Sequence, residues 1–210
     1  LVKMLIEKGC DPTETTGELK KNALRYLAEV SRWKNDDPAS TPKFKEMALF
    51  LIEKRVSPSA SDITGRTPLH NAAEVPVGGF IVPIADAIIN LNKKLAVAEA
   101  LVVGGADVNA PQTLRGKPKA FSTPLEIAIQ SGHTAMVSLL LANKANTRFA
   151  SGMNALHYAL YTSWRDDMVG EILKTGLDVN ETDKNGCTAL MYAARHGGNE
   201  TAQKIMDMLL

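Results

Sequence analysis

Four histidines are the side chains in this sequence best suited to acid-base catalysis or metal binding. They are His70, His133, His157 and His196, and a neutral imidazole can accept a proton or ligate a metal near pH 7. None has a cysteine, serine, aspartate or second histidine at the spacing of a metal site or a catalytic triad. We therefore predict no catalytic residue and no metal site.

Two glycine-rich stretches and two cysteines could support other chemistry. The stretches VGGF (77–80) and VGGAD (103–107) lack the glycine spacing of dinucleotide-binding loops and P-loops, and Gly104 and Gly105 fit a helix end. Cys10 and Cys187 are too far apart in sequence for a zinc knuckle or a disulfide framework. Nothing beside Cys187 in the sequence would activate its thiol. We predict an ordinary thiol and no cofactor.

Composition excludes several classes of partner. The 210 residues are 45% apolar, and 24 basic against 23 acidic residues leave a net charge of +1, so charge favours neither nucleic acid nor an anionic membrane surface. No apolar stretch approaches the roughly 20 residues of a membrane-spanning helix. The sparse cysteines favour a reducing, cytoplasmic location. We expect a monomer without direct membrane insertion, and a fragment of a longer protein, since both termini fall within helical patterns.

A short motif recurs five times along the chain. Its clearest copy is TPLHNAA, and the copies begin at Asn22, Thr67, Thr123, Asn154 and Thr188. The side-chain oxygen of the first residue can cap a helix, and Pro68 stands at the first helical position, where its missing N–H leaves nothing unpaired. The small Ala72 and Ala73 allow neighbouring helices to approach closely. Each copy is therefore predicted to begin a short helix.

A second motif alternates with the first. It is an aliphatic run followed by glycine or its equivalent, as in LVVGGADVN from Leu101 and ILKTGLDVN from Ile172. Glycine adopts a positive φ after a helix without a Cβ penalty, and the Asp-Val-Asn and Asp-x-x-Gly runs that follow favour turns. Each unit is therefore predicted to be a pair of helices followed by a connector.

The two motifs together closely resemble the ankyrin repeat family, whose unit of about 33 residues carries a T-P-L-H-x-A signature. The last copy matches best, and the copy at Asn22 matches least. The resemblance implies an all-α ankyrin repeat solenoid of stacked helix-turn-helix units joined by hairpin-like connectors, with insertions in repeats 1 and 2. It predicts a single domain, 1–210, made of the end of a preceding repeat at 1–15 and repeats at 16–60, 61–110, 111–147, 148–180 and 181–210.

The resemblance also implies roles for individual residues. His70 and His157 occupy the fourth position of the motif, where the family uses histidine to bridge connectors, and His133 matches the turn between paired helices. Asn109 and Asn180 resemble ankyrin asparagines that asparaginyl hydroxylases modify, although turn formation is the favoured interpretation.

The insertions interrupt the period at 31–42 and 75–92, and the connector 111–121 is also lengthened. An apolar stripe with helical spacing begins inside the second insertion, at Ile84, Ile88, Leu91, Leu95, Ala98 and Val102. It predicts one long helix from about Ile84 to Val103. Two short helices broken near residues 90–92 are the alternative.

In the family that these repeats resemble, partners bind a concave face of connectors and first helices at positions that the signature leaves free. Transferred residue by residue, the resemblance implies a partner-binding surface at Ile63, Thr64, Arg66, Glu74, Val75, Gln130, Ser131, Ser151, Met153, Tyr161, Thr162, Lys184, Asn185, Cys187, Arg195 and His196. Aromatic side chains concentrate interface energy, which adds Trp164, Trp33, Phe80 and Phe121. Whether Trp33 and Trp164 instead plug the ends of their own helix pairs stays open.

These observations predict a non-catalytic module that binds a protein or peptide partner and no nucleic acid. One alternative is a substrate-recruiting ankyrin domain of a larger enzyme or of a secreted bacterial effector, which would act in the host cytosol through regions outside this chain. Another is a cytosolic repeat domain of a membrane protein.

Overall fold

The computed structural model describes residues 2–29, 38–75, 84–114, 117–195 and 200–210. Three residues discussed above, Trp33, Phe80 and His196, lie outside these ranges, and of residues 113–114 and 117–121 only the backbone is described. The described residues form eleven α-helices: α1 (Val2–Glu7), α2 (Ala23–Ala28), α3 (Thr41–Glu53), α4 (Pro68–Ala73), α5 (Ile84–Val103), α6 (Pro124–Gln130), α7 (Thr134–Ala142), α8 (Ala155–Thr162), α9 (Asp166–Leu173), α10 (Ala189–Arg195) and α11 (Glu200–Leu209). A two-stranded sheet joins β1 (Gln112–Leu114) to β2 (Lys117–Ser122).

Each of the five motif copies begins a helix, as predicted. The helices α2, α4, α6, α8 and α10 start one residue after the first residue of their motif, and we call them the first helices. Each is followed by a second helix, namely α3, α5, α7, α9 or α11, while α1 precedes the first pair. The all-α prediction is therefore confirmed, with one β-hairpin added in the connector before α6.

The chain divides into two compact units. Unit 1 contains Leu1–Ala72 and Gly78–Gln112, and unit 2 contains Ala73–Val77 and Thr113–Leu210. In unit 1, α3 packs against α5 and α2. In unit 2, first helices pack in the order α6, α8, α10, second helices pack in the order α7, α9, α11, and each first helix contacts its own second helix.

The core of unit 2 lies between these two rows of helices. It is made of side chains with no exposed surface, which include Leu125, Ile129, Met136, Leu140, Leu156, Leu160, Met168 and Ile172. Helices of six to ten residues are marginal in isolation. Their stability therefore depends on burial against neighbours in both rows, which is the arrangement of a repeat solenoid.

Side chains at the motif's first position cap the first helices. Asn22, Thr123 and Asn154 accept a hydrogen bond from the backbone N–H three residues later. At Thr123 the cap is reciprocal, because Glu126 accepts from the Thr123 N–H at 2.8 Å. The N–H groups that begin a helix have no partner within it, so these caps help to determine where α2, α6 and α8 start.

The long helix predicted in the second insertion is confirmed as α5, Ile84–Val103, and the alternative of two short helices is wrong. Its buried face differs from the apolar stripe. Ile88 is 53% exposed, whereas Lys93, Lys94, Val97 and Leu101 are buried. The helical period was therefore correct, but two lysines occupy the face turned to the core.

The hydrogen bonds of the Lys94 ammonium group explain why this lysine is buried. Its Nζ donates to the carbonyl oxygen of Asn71 at 2.6 Å and to that of Ala28 at 3.2 Å. Both carbonyls lie in the last turn of a first helix, α4 and α2, where the helix itself provides no donor. A cation at a helix C-terminus is also favoured by the helix dipole. Lys94 therefore satisfies the ends of two helices in unit 1 from a third.

No helix within the described ranges is long and apolar enough to span a membrane.

Replacing Lys94 with methionine should lower the free energy of unfolding by about 1.5–3 kcal/mol, because two buried carbonyls lose hydrogen bonds to a charged donor. Urea unfolding followed by circular dichroism measures the change. The control is K45M, which removes the partly exposed ion pair between Lys45 and Glu99 and should cost about 1 kcal/mol or less. Equal losses in the two variants would contradict this account of Lys94.

Candidate functional site

Three connectors share one backbone conformation just before a first helix. They span residues 62–67 in unit 1, and 149–154 and 183–188 in unit 2. In each, the N–H of the first residue donates to the carbonyl of the fifth, and the N–H of the fourth donates to the carbonyl of the first, at 2.9–3.0 Å. The fourth residue is a glycine with φ between +77° and +85°, a backbone region that other residues adopt at a cost. The predicted turns are therefore tight loops that present their second and third side chains.

Asp183 holds the last of these connectors together. Its Oδ1 accepts from the N–H of Asn185 at 2.8 Å and of Cys187 at 2.9 Å, and its Oδ2 accepts from the Tyr192 hydroxyl at 2.8 Å. The hydrogen bond from the Cys187 N–H has the largest effect on the pKa of Asp183. With the bonds from Tyr192 and Asn185, it outweighs burial and lowers the pKa of Asp183 from 3.8 to about 2. The tyrosine responds in the opposite direction, since burial and the bond to Asp183 raise the pKa of Tyr192 to about 12.

The connector before α8 has a phenylalanine in place of this aspartate. Phe149 meets Tyr158 edge to face, with ring centroids 5.4 Å apart. Tyr158 and Tyr192 hold the same position in their motifs, four residues after the first. Tyrosine at that position therefore ties the connector to the first helix either by a hydrogen bond or by a ring contact. Sequence reasoning missed this pairing, although both motifs carry tyrosine at the same position.

In unit 1 the corresponding aspartate, Asp62, is bonded differently. It accepts from the N–H and hydroxyl of Thr64 and from the N–H of Arg66, and Arg25 forms a buried ion pair with it. Burial raises the pKa of Asp62, but the hydrogen bonds from Thr64, Arg66 and Arg25 outweigh burial, so the pKa is lowered overall.

His70 and His157 hydrogen-bond to the first residue of their own motif, and the bridge between connectors that the resemblance implied stays a prediction. His70 is fully buried, and its Nδ1 accepts from the Thr67 N–H at 3.1 Å and lies 2.8 Å from the Thr67 hydroxyl. Nδ1 of His157 accepts from the Asn154 N–H at 3.4 Å, which places histidine in the reciprocal part of a helix cap. His133 is buried at the start of α7. Within the described residues, no cluster of His, Cys, Asp and Glu could hold a metal ion.

In repeats 2 to 5, one position at the end of the first helix or directly after it is exposed and chemically variable. It lies seven residues after the first residue of the motif, and in repeats 2 to 5 it is occupied by Glu74, Gln130, Tyr161 and Arg195. All four side chains are exposed, and Tyr161 keeps 59% of its surface accessible. The tips of the connectors add exposed side chains at Ile63, Ser151, Lys184 and Asn185.

Several other residues predicted to bind a partner use their polar groups within the chain. The Thr162 hydroxyl donates to the Tyr158 carbonyl at 2.8 Å. Arg66 Nε donates to the Asn71 side chain. The Ser131 hydroxyl accepts from the Val75 N–H at 3.1 Å.

Met153, Cys187 and Trp164 are half-buried. Trp164 occupies the place after α8 that Gly132 holds after α6, and both have a positive φ, +47° and +70°. Its N–H closes the helix end on the Ala159 carbonyl at 3.2 Å.

Within unit 2 the structure brings part of the predicted surface together. The ring of Tyr161 meets that of Tyr192 edge to face, with centroids 6.4 Å apart. The Lys184 side chain packs over Gly152, so closely that a Cβ on that glycine would lie 3.2 Å from Lys184 Cβ. Ile63, Thr64 and Arg66 belong to unit 1 and form a separate group.

Comparison with known proteins finds ankyrin repeats in most of the chain. A family model described as ankyrin repeats (3 copies) matches residues 84–183, and one described as ankyrin repeats (many copies) matches residues 163–206.

Two curated proteins are similar to more than half of this chain. The phosphocholine transferase AnkX of Legionella pneumophila is 31% identical over 134 residues, which is 61% of this chain but 13% of that protein. The putative ankyrin repeat protein FPV223 of fowlpox virus is 30% identical over 139 residues, which is 66% of this chain and 81% of the viral protein. The chain therefore corresponds to a small part of the transferase and to most of the viral protein.

Replacing Asp183 with asparagine should reduce stability in a pH-dependent way. The pKa of Asp183 lies near 2 in the folded chain, below its ordinary 3.8. The ionised carboxylate therefore stabilises the fold above about pH 3.8, and this contribution disappears as the pH falls towards about 2. D183N should have a lower urea midpoint than the unchanged protein at pH 7, and the gap should shrink between about pH 4 and pH 2.

The control is D178N, which removes an exposed carboxylate bonded to the N–H of Asn180 and should change the midpoint less. A gap for D183N that stays constant down to pH 2 would show that the charge of Asp183 is not what stabilises the connector.

Proposed function

The chain belongs to the ankyrin repeat family, and from that premise we propose that it is a non-catalytic protein-interaction module. Its partner is a protein or a peptide, bound by connector tips and first helices. Ankyrin repeats are protein-interaction modules in general, and this generality supports the proposal.

The observation that carries the proposal is the contrast between fixed and variable positions. Capping residues and core side chains recur from repeat to repeat, whereas the exposed position of the first helices changes from Glu74 to Gln130, Tyr161 and Arg195. A position that is exposed in repeats 2 to 5 and differs in charge and size can match a partner. Aromatic and arginine side chains at such positions are typical of residues that dominate binding energy.

The similarity to a phosphocholine transferase supports a second candidate. The chain would then recruit substrates for a larger enzyme or a secreted bacterial effector, with the activity in regions outside it. Only 13% of the transferase is covered, so the catalytic part of that protein is not implied for this chain. In both candidates the chain itself binds a protein, acts as a monomer in the cytoplasm, or in the host cytosol for an effector, and uses no nucleic acid or cofactor.

Affinity capture from host-cell lysate tests the proposal when the two units are varied separately. Variant one is I63A/R66A in unit 1, and variant two is Y161A/K184A/R195A in unit 2. At least one variant should lose about 90% of a partner that the unchanged chain retains, because truncating hot-spot side chains costs about 2 kcal/mol or more. Quantitative mass spectrometry of the retained proteins is the measurement.

The matched control is K45A/K174A/K204A, which removes a partly exposed lysine of α3, an exposed lysine directly after α9 and an exposed lysine of α11, and it should leave capture unchanged. Thermal melting by circular dichroism establishes that every variant is folded. Equal capture by all variants would contradict binding through connectors and first helices. Chemical modification of the captured partner by a longer protein, but not by this chain, would support the recruiting role.

A further inference from the structure

Three tyrosines form a continuous row on the first helices of unit 2. Tyr158 and Tyr161 stand three residues apart on α8, so their side chains are neighbours on the helix surface. The ring of Tyr161 meets that of Tyr192 on α10 edge to face, with centroids 6.4 Å apart and planes at 83°. We call Tyr158, Tyr161 and Tyr192 the tyrosine row, which crosses from repeat 4 to repeat 5.

The tyrosine row is accessible to a partner and is supported by buried rings. Tyr161 is 59% exposed, and the other two tyrosines are half-buried. The buried Phe149 contacts the ring of Tyr158 with centroids 5.4 Å apart, and the buried His157 contacts the ring of Tyr192 with centroids 5.7 Å apart. Rings that are fixed before binding lose little conformational entropy when a partner binds.

Two hydroxyls of the tyrosine row are available as hydrogen-bond donors. Among the described residues, the hydroxyls of Tyr158 and Tyr161 have no hydrogen-bond partner, and neither oxygen is among the buried polar atoms. Burial and the charge of Glu126 raise the pKa of Tyr158, so its hydroxyl keeps its proton at neutral pH. Both hydroxyls can therefore donate to acceptors that a partner brings.

The two acids nearest to the tyrosine row are already occupied. Asp183 accepts three hydrogen bonds from its own connector and one from the Tyr192 hydroxyl. Glu126 is buried and accepts a hydrogen bond from the Thr123 N–H of its own helix cap. Neither acid is available to pair with a cationic side chain, so the row favours a partner that brings acceptors and apolar surface.

A proline-rich segment has this complementary chemistry. Proline carries an apolar ring and a carbonyl acceptor but no N–H donor. In the polyproline II conformation the carbonyls have no internal partner, and residues three apart lie on the same side of the helix. Such segments bind grooves lined by aromatic rings, at a low entropic cost because their conformation is already formed.

The size of the tyrosine row fits a peptide better than a folded protein or a second copy of the chain. A fully covered aromatic side chain buries about 150–250 Å², and two of the three rings are already half-buried. The row therefore provides less than the roughly 800 Å² that each partner contributes to a stable interface. An extended peptide needs only a few such anchors.

We infer that the tyrosine row binds a proline-rich segment in the polyproline II conformation, with a proline ring packed on Tyr161 and Tyr192 and carbonyls that accept hydrogen bonds from Tyr158 and Tyr161. The inference rests on the proposed function and adds the chemistry of the partner. Three residues per turn bring every third side chain to the row, so the segment should contain two prolines separated by two residues.

Selection from a phage-displayed library of random dodecapeptides on the full chain tests the inference. The enriched peptides should contain two prolines separated by two residues. Fluorescein-labelled synthetic copies should bind Y161A at least about tenfold more weakly in fluorescence anisotropy, because truncating an aromatic hot spot has an effect of this size or larger. A copy of the peptide with alanine in place of both prolines should bind the unchanged chain at least about tenfold more weakly.

The variant Y158F/Y161F separates hydrogen bonding from ring packing. It keeps both rings and removes two hydroxyls that have no partner within the described residues, so thermal melting should be unchanged. The peptide should bind about fivefold or more weakly, because two hydrogen bonds to the partner are lost. Unchanged binding would contradict the hydrogen bonds assigned to these hydroxyls.

The matched control is Y26A, which truncates a tyrosine of α2 in unit 1 that is 43% exposed. Tyr26 holds the same position in its motif as Tyr158 and Tyr192. Because it lies outside the tyrosine row, its truncation should leave the affinity for the peptide within about twofold of the unchanged chain. A loss equal to that of Y161A would contradict binding at the row.

Several results would overturn the inference: no enriched peptide, enriched peptides without prolines, or equal binding to Y161A and the unchanged chain. Enriched peptides rich in lysine or arginine would assign the row to a cationic partner instead. Concentration-dependent dimers in sedimentation that Y161A abolishes would assign it to a second copy of the chain. If I63A/R66A or Y161A/K184A/R195A lost a partner in affinity capture while proline-rich peptides failed to bind, the inference would fail and the proposed function would stand.

Discussion

Short helices must satisfy the backbone groups at both of their ends, and this constraint organises the whole molecule. The five first helices have only six to eight residues each, so nearly all of their N–H or carbonyl groups belong to an end. At the start, the side chains of Asn22, Thr123 and Asn154 provide the missing acceptor. At the other end, Lys94 supplies a donor to two first helices of unit 1. The need to pair the backbone groups at helix ends therefore explains the recurring motif, independently of any partner that the chain binds.

The connectors follow from the same constraint. A chain that has just ended one helix and must cap the next has few conformations available, and a positive-φ glycine fixes one of them. The remaining freedom lies in how the connector is held to its first helix. Asp183 with Tyr192 uses a charged hydrogen bond, whereas Phe149 with Tyr158 uses a ring contact. Because either contact preserves the backbone, the exposed side chains between them can vary without disturbing the fold.

The sequence predicted helices where local patterns determine them. The motif located all five first helices, and the apolar spacing located α5 to the residue. The apolar spacing did not predict which face of α5 is buried, because an amphipathic pattern counts lysine as solvent-exposed. Lys94 is buried since its partners, the carbonyls of Ala28 and Asn71, are remote in sequence and become neighbours only after folding. The link between Asp183 and Tyr192 was missed for a similar reason, since it joins a turn to a helix through side chains.

The contact between Gly152 and Lys184 lets a residue of one repeat affect the position of an exposed side chain in the next repeat. A Cβ at position 152 would lie 3.2 Å from Lys184 Cβ and 3.3 Å from its Cδ, so the Lys184 side chain would have to shift by a few tenths of an ångström. If Lys184 contacts the partner, as we propose, a substitution in the preceding repeat would thus move a binding side chain without replacing it. The binding specificity of such a solenoid can therefore change through a substitution in the repeat next to the one that contacts the partner.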